Sequence, residues 1–260
     1  MVPLRFFRSS TFTGANLDSF AISFLIAGIA FFGTLYLQNV LAFSPVRAGM
    51  ALLPMVAVMM VCSPISGVLI NRVGASKLIS TGMVIAGLGV LLFMRATADG
   101  SYWDLLPSYL VMGLGMSLIF APMTTAVLNS VESEKSGVAS AVNGAIREIG
   151  NAFGIAFLGT LMNRAYQDNF DANSQVQALR ADANNGPIQP LIDLIGSGMS
   201  FGGRVIERAE EFQGFPPEIA STLRAVSSDA FMVGMDRAII VSAATIMATA
   251  VISFFLIKDQ

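Results

Sequence analysis

Long apolar segments are the feature that most constrains this chain. Six of them, each about 20 residues or longer, are predicted at about 14–40, 48–70, 77–95, 105–128, 137–162 and 232–257. At 1.5 Å of rise per residue, a helix of that length crosses the ~30 Å hydrocarbon core of a bilayer. Backbone amides find no water in lipid, so each segment must be a helix. The sequence therefore predicts an all-α polytopic membrane protein.

Composition excludes several classes of function. Hydrophobic residues make up 54% of the chain and charged residues only 12%, against roughly 25% charged residues in a soluble domain. The net charge of −2 argues against a nucleic-acid partner. Histidine is absent and Cys62 is the only cysteine, which removes the usual zinc ligands and the commonest general base. We therefore predict no metal site, no cofactor and no enzymatic activity.

Positively charged residues in the short loops predict the orientation in the membrane. One side carries Arg5, Arg8, Arg72, Lys77, Lys135 and Lys258, and the other carries Arg47 and Arg95. Cytoplasmic loops hold the excess of lysine and arginine. Residues 1–13 and 258–260 are therefore predicted to be cytoplasmic, and the long segment 163–231 to be external.

The segment 163–231 has a more soluble composition than the rest. Ser174–Ala181, Gly203–Gln213 and Pro217–Val226 are predicted to be short amphipathic helices, with breaks at Asn184–Pro187 and Gly214–Pro217. The simpler interpretation is a solvated hairpin or cap on the membrane domain. The alternative is a lid that gates access to a substrate.

Polar residues interrupt the fifth apolar segment. Asn143, Arg147 and Asn151 recur at four-residue spacing, so they share one helix face, and Glu148 points about 100° away. A charge in mid-bilayer costs about 3 to 10 kcal/mol or more unless it meets a partner or water. Arg147 either faces a polar cavity, with Glu148 binding a proton or a cationic substrate, or belongs to a hydrogen-bonded brace that the Gly150-x-x-x-Gly154 spacing would help to pack.

Three other residues are candidates for a substrate or proton pathway. Asp18, near the start of the first segment, would exchange protons with a cavity, or would cap the helix and complement its dipole. Tyr36 and Gln38, near the outer end of that segment, would line the pathway. An interfacial aromatic belt is the alternative for Tyr36.

Prolines are predicted to bend the helices that contain them. Pro54, Pro64 and Pro122 lie within apolar segments. Each removes a backbone hydrogen bond, and this permits a helix to flex as a pathway opens and closes.

The loop Gly67–Lys77 resembles the G-x-L-x-D-R-x-G-x-[RK]-[RK] cytoplasmic loop of the major facilitator superfamily. Gly67 would let two helices touch and Gly74 would permit a tight turn. Arg72 and Lys77 would keep the loop on the cytoplasmic side. Asn71 stands where the family has an acidic residue, so the charged half of the family's conformational latch is missing.

Other motifs occur in the family's order. Residues 35–40 and 44–54 resemble the seventh helix and following loop of drug:proton antiporters with fourteen spans. Residues 113–122 and 137–156 resemble later helices of the same half. The resemblance implies six helices that form the C-terminal half of such a transporter. Its N-terminal half would be missing, and Met1 would be internal to a longer reading frame.

The same resemblance implies a location and a function. The protein would lie in the cytoplasmic (inner) membrane of a bacterium and would exchange protons for lipophilic or cationic small molecules by alternating access. One alternative is a transporter of the same fold for anionic or neutral natural products, with Arg147 as the anion-binding group. The other is a truncated membrane fragment that transports nothing.

Overall fold

The chain is helical in every regular element that the structure describes. The structure, a computed structural model, describes residues 4–182, 186, 188–199, 206 and 216–257. The helices are α1 (Ser10–Asn39), α2 (Pro45–Met50), α3 (Leu53–Val73), α4 (Ala75–Leu92), α5 (Tyr102–Asn129), α6 (Ser136–Ala172), α7 (Ser174–Ala181), α8 (Gln189–Gly196) and α9 (Pro217–Leu256). Short 3-10 turns occur at Leu4–Arg8, Phe93–Arg95 and Ser133–Lys135. The prediction of an all-α membrane fold is confirmed.

Five stretches among the described residues are long and apolar enough to cross a membrane. They are α1, α2 with α3, α4 with the turn that follows it, α5 and α9. The prediction of six spans exceeds this number by one, because α6 carries Asn143, Arg147, Glu148 and Asn151 among its apolar residues. That α6 also crosses the membrane stays a prediction.

Helix α6 runs parallel to α1 and in close contact with it. A Cβ added at Gly150 would lie 2.6 Å from the carbonyl oxygen of Phe20, and one at Gly154 would lie 2.3 Å from that of Phe24. The two backbones therefore touch one turn after another in the same direction. The predicted Gly150-x-x-x-Gly154 packing is confirmed, and it places the polar residues of α6 beside an apolar membrane helix.

Helix α5 is packed between α3 and α4. A Cβ at Gly115 would lie 2.4 Å from the backbone nitrogen of Ala86 in α4, and one at Gly113 would lie 2.6 Å from the carbonyl oxygen of Met55 in α3. Helix α3 has only one buried residue, Ser66, within its own range. The face of α3 that points away from α5 is therefore open, with Val56, Met60 and Ile65 exposed.

Two helices extend beyond their predicted ends. Helix α6 continues ten residues past 162 to Ala172, and α9 begins at Pro217 instead of near 232. The prediction that Pro217–Val226 is a separate short helix is wrong. Leu223, Val226 and Ala230 keep one face of α9 buried through the polar run at 227–229, so the helix does not break there.

The projecting ends of α6 and α9 carry α7 and α8 as a helical cap, formed among the described residues by 163–182, 188–199 and 216–231. The hydroxyl of Tyr166 lies 2.9 Å from the carbonyl oxygen of Ile195 and 3.0 Å from Ser227 Oγ. Arg180 forms ion pairs with Asp171 at 2.8 Å and Asp193 at 3.2 Å. The predicted helix Ser174–Ala181 is confirmed. The predicted helix Gly203–Gln213 lies outside the described residues, apart from Ile206.

Two of the glycines and prolines in the motifs, Gly67 and Pro54, do not have the roles that were predicted for them. Gly74 has a φ of 93°, as its predicted tight turn requires. A Cβ at Gly67 would meet no atom within 4 Å, so the predicted helix contact at Gly67 does not occur among the described residues. Pro54 lies in the first turn of α3, where proline starts a helix, so the prediction that it bends one is wrong. Pro64 and Pro122 lie inside α3 and α5, and their bending role stays a prediction.

Candidate functional site

An open groove runs between the C-terminal half of α1 and the middle of α6. It has a volume of about 570 Å³ and is lined by Ala27, Ala30, Phe31, Thr34, Leu35, Gln38, Asn151 and Ile155. Two of the predicted pathway residues, Gln38 and Asn151, meet here although they lie far apart in sequence. An apolar surface with a few polar side chains is typical of sites that bind lipophilic molecules.

Arg147 lies one turn before Asn151 on the same face of α6. It is half-buried, and its guanidinium carbon lies 5.3 Å from the centre of the Phe120 ring in α5. Among the described residues it has no hydrogen bond and no ion pair. A cation–π contact of this length compensates only part of the cost of a desolvated charge. The geometry therefore leaves Arg147 able to bind an anionic group from outside this bundle.

Glu148 is exposed, and it does not contribute to the lining of the groove. It has no partner among the described residues, including Arg147 beside it in sequence. Its carboxylate is available to a group that approaches the outer face of α6.

Asn143 belongs to a brace between helices. Its side-chain nitrogen donates to Asn16 Oδ1 at 3.1 Å and to Ser19 Oγ at 2.6 Å. Ser19 Oγ in turn lies 3.1 Å from the sulfur of Met123 in α5. The three predicted residues on this face of α6 therefore differ in role. Asn143 holds α1, α5 and α6 together, whereas Arg147 and Asn151 have no hydrogen-bond partner among the described residues.

Asp18 faces away from the groove. It is fully buried, and its Oδ2 accepts a hydrogen bond of 2.8 Å from Ser253 in α9. The helix begins at Ser10 and Ser9 caps it, so Asp18 lies in the third turn and does not cap the helix. The prediction that Asp18 caps α1 is therefore wrong.

Tyr36 does not line the groove. Its side chain is fully buried, and its hydroxyl donates to the carbonyl oxygen of Thr97 at 2.8 Å. It fastens the C-terminal end of α1 to the chain between α4 and α5. The predictions that it lines a pathway or forms an interfacial belt are both wrong. Asn16, Ser19 and Ser253 were missed, although small polar residues in apolar segments are the signal that marks such contacts.

The motif loop between α3 and α4 borders a second cavity, of about 400 Å³. Its lining includes Asn71, Arg72, Gly74 and Asn129. Asn71, Arg72 and Lys77 are exposed. Together these residues form a polar surface at the end of the bundle opposite the helical cap.

The motif loop lies between two long helices, α3 and α4, and falls within the part of the chain that matches a known family. Residues 2–155, more than half of the chain, match the family described as the Major Facilitator Superfamily. The chain belongs to the major facilitator superfamily. This superfamily consists of membrane transporters.

Curated relatives in this superfamily are named for drug resistance and export. The chain is 28% identical over its whole length to the tetracenomycin C resistance and export protein of Streptomyces glaucescens, and the match covers 46% of that protein. It is 32% identical to the multidrug transporter protein MdtP of Bacillus subtilis, over 63% of this chain and 30% of that protein. It is also 32% identical to the multidrug resistance protein Stp of Mycobacterium tuberculosis, over 62% of this chain and 30% of that protein. The chain thus spans less than half the length of these relatives.

Proposed function

We propose that this chain is the C-terminal half of a fourteen-span, proton-coupled efflux transporter that exports lipophilic or cationic compounds by alternating access. The observation that carries the proposal is the groove between α1 and α6 with the unpaired Arg147 beside it. Such a groove is built to be covered by something other than lipid, because a half-buried guanidinium facing hydrocarbon alone is costly. The names of the relatives and the share of their length that is matched support the proposal.

The N-terminal half is the partner proposed for the open surface. Transporters of this superfamily bind substrate near the midplane, between two halves. The groove and the exposed face of α3 are the two surfaces that another half would cover. The groove would then form one wall of a closed cavity in the membrane.

Proton coupling would follow from competition for a carboxylate. Glu148 is exposed on α6 and has no cationic partner among the described residues. A cationic substrate would bind the ionised carboxylate, and a proton taken up from outside would neutralise that carboxylate and release the substrate. Competition between two cations for one acid is sufficient for exchange.

Arg147 favours a second candidate function. The groove beside it is lined by no acidic residue, and its polar side chains are Thr34, Gln38 and Asn151. A guanidinium with free hydrogen-bond donors binds carboxylates and phenolates well. Export of an anionic or neutral natural product by the same fold would use Arg147 as the binding group. A truncated fragment without transport activity is the remaining alternative.

The test is export by the protein produced from its complete reading frame and reconstituted in liposomes. Cationic, neutral and anionic lipophilic dyes are compared with and without an imposed proton gradient. The proposal predicts gradient-driven export of cationic dyes, which a protonophore abolishes. Gradient-driven export of anionic dyes alone would establish the second candidate. No export of any dye by folded protein would support the fragment.

A further inference from the structure

Asp18 is a buried acid that the proposed function does not use. Its side chain has no exposed surface, and Ser253 Oγ donates to its Oδ2 at 2.8 Å. The second oxygen, Oδ1, is also buried and has no hydrogen-bond partner. Buried polar atoms in proteins nearly always have a partner, so one without any requires an explanation.

No cation compensates this carboxyl group among the described residues. The ion pairs there involve Glu132, Asp171 and Asp193, and none involves Asp18. The charged residues on the elements packed against α1 lie elsewhere: Arg5 and Arg8 in the first turn, Arg47 in α2, Asp104 in α5, Arg147, Glu148, Arg164, Asp168 and Asp171 in α6, and Glu218, Arg224, Asp229, Asp236 and Arg237 in α9.

Two of these groups, Arg237 and Arg147, are separated from Asp18 by distance and by direction respectively. Arg237 is 16 residues from Ser253 along α9, which is about 24 Å of helix. Arg147 points at Phe120 of α5, whereas Asp18 points at α9. An ionised Asp18 would therefore be an isolated charge in an apolar interior, which is strongly unfavourable. The neutral acid avoids that cost and places its proton on the oxygen that lacks a partner.

The seam between α1 and α9 is tight around Asp18. One turn before it, a Cβ added at Gly14 would lie 3.0 Å from Leu256 Cβ and 3.1 Å from Ile257 Cγ1. The Asp18 side chain has no exposed surface, so water does not touch the carboxyl group while the seam is closed. Asp18 can lose its proton to water only if the seam opens.

We propose that Asp18 is a proton-binding site whose deprotonation is coupled to separation of α1 from α9. With the seam closed, the carboxyl group holds the proton and accepts the hydrogen bond from Ser253. When the seam opens, the O–H bond breaks, the proton passes to water, and the carboxylate keeps the electron pair and is hydrated. The inference rests on the proposed function in one respect only: if the protein is a proton-coupled transporter, the proton on Asp18 is a candidate for the coupling ion.

A disulfide trap measures the opening of the seam. Gly14→Cys and Leu256→Cys are introduced in a Cys62→Ser background of the protein from its complete reading frame. Their Cβ positions lie 3.0 Å apart with the seam closed, so a small adjustment reaches the separation of about 3.5–4.5 Å that a disulfide needs. The rate of cross-linking in membranes is followed across pH with Asp18 and with Asp18→Asn. Thiol ionisation speeds both reactions equally, so the ratio of the two rates isolates Asp18. We expect this ratio to fall severalfold as pH rises, and a ratio that stays constant would overturn the proposal.

Infrared spectroscopy supplies a readout that needs no cysteine. The C=O stretch of a protonated carboxylic acid is recorded for the purified protein from about pH 6 upward, where exposed carboxyl groups are already ionised. We expect a band that is lost at high pH, is absent in Asp18→Asn and is retained in Asp236→Asn, the matched acid on α9. A band that survives in Asp18→Asn, or no band in the parent protein at any pH, would refute the assignment. A protein that shows the band and the seam response but exports nothing would refute the proposed function and leave the proton site standing.

Discussion

At the scale of single residues, neighbours on one helix face serve different purposes. Asn143 is saturated by Asn16 and Ser19, whereas Asn151, two turns later on the same face, opens into the groove. Spacing alone places both residues on that face and does not show which one has a partner. The difference comes from α1, whose Asn16 and Ser19 side chains accept hydrogen bonds from Asn143, whereas no described side chain of α1 bonds to Asn151.

Replacing these two asparagines should separate stability from transport. Asn143→Ala removes two hydrogen bonds and should lower the free energy of unfolding by about 1–2 kcal/mol. Asn151→Ala should change it by less than about 0.5 kcal/mol, yet should lower export by the protein from its complete reading frame. Thermal stability in detergent and export per folded molecule are the two measurements. Equal loss of stability in both variants would contradict the different roles assigned to Asn143 and Asn151.

Glycines on α6 offer a second matched pair. A Cβ at Gly154 would meet the Phe24 carbonyl oxygen at 2.3 Å, whereas one at Gly144 would meet nothing within 4 Å. Gly154→Ala must push α1 and α6 apart and should cost about 1–3 kcal/mol. Gly144→Ala should be neutral or stabilise the helix by up to about 1 kcal/mol. Thermal unfolding in detergent compares the two, and a tolerant Gly154→Ala would show that the helices do not touch there.

Residue types and spacing predicted some of these contacts and could not predict others. Gly74 and the pair Gly150 and Gly154 were predicted correctly, because the signal lies in glycine spacing along one stretch of chain. The partners of Asp18 and Tyr36 were not predicted. Ser253 lies 235 residues from Asp18, and the Thr97 carbonyl lies 61 residues from Tyr36. Such contacts depend on helix packing, which one sequence does not reveal.

At the scale of helices, α6 and α9 form the helical cap together with α7 and α8. The end of α6 and the start of α9 are amphipathic, so they continue out of the bundle and bury Tyr166, Phe170 and Leu223 against the two short helices. The sequence analysis predicted an external segment with separate short helices here, and it ended the last of them at Val226. The cap is folded on α6 and α9 and is tied to them by Tyr166 and Arg180.

Loosening the cap should leave the bundle intact. Tyr166→Phe removes a buried hydroxyl that contacts Ile195 and Ser227, at a cost of about 1–2 kcal/mol. We expect faster hydrogen exchange in α7 and α8 and unchanged exchange in α4 and α5, measured by mass spectrometry. Gln175→Ala, at an exposed position on α7, is the control and should change neither. Faster exchange throughout the bundle would contradict a separate cap.

At the scale of the whole molecule, the bundle has two polar ends and an open side. The motif loop lies at one end and the helical cap at the other, and the α1–α6 groove opens between them. Apolar segment length was sufficient to predict the bundle. It could not predict the groove, whose lining comes from two helices more than 100 residues apart. It also overestimated the number of clearly apolar spans, because α6 is polar on one face.

Cysteine labelling tests the predicted orientation. Ser133 and Ser174 are both exposed, and they lie at opposite ends of α6. In a Cys62→Ser background, an impermeant thiol reagent applied to intact cells should label Ser174→Cys and leave Ser133→Cys unlabelled until the cells are opened. The excess of lysine and arginine on the Ser133 side is the reason. Labelling of Ser133→Cys alone would reverse the orientation.

The most direct test of a substrate-facing Arg147 is export per folded molecule. The protein from its complete reading frame is counted by fluorescence size exclusion after detergent extraction, and export is divided by that count. Arg147→Ala should abolish export while the folded amount stays normal, and Arg147→Lys should recover only part of it, because lysine lacks the planar fork of donors. Arg164→Ala, at an exposed arginine near the outer end of the same helix, should export normally. Full export per folded molecule by Arg147→Ala would contradict the account.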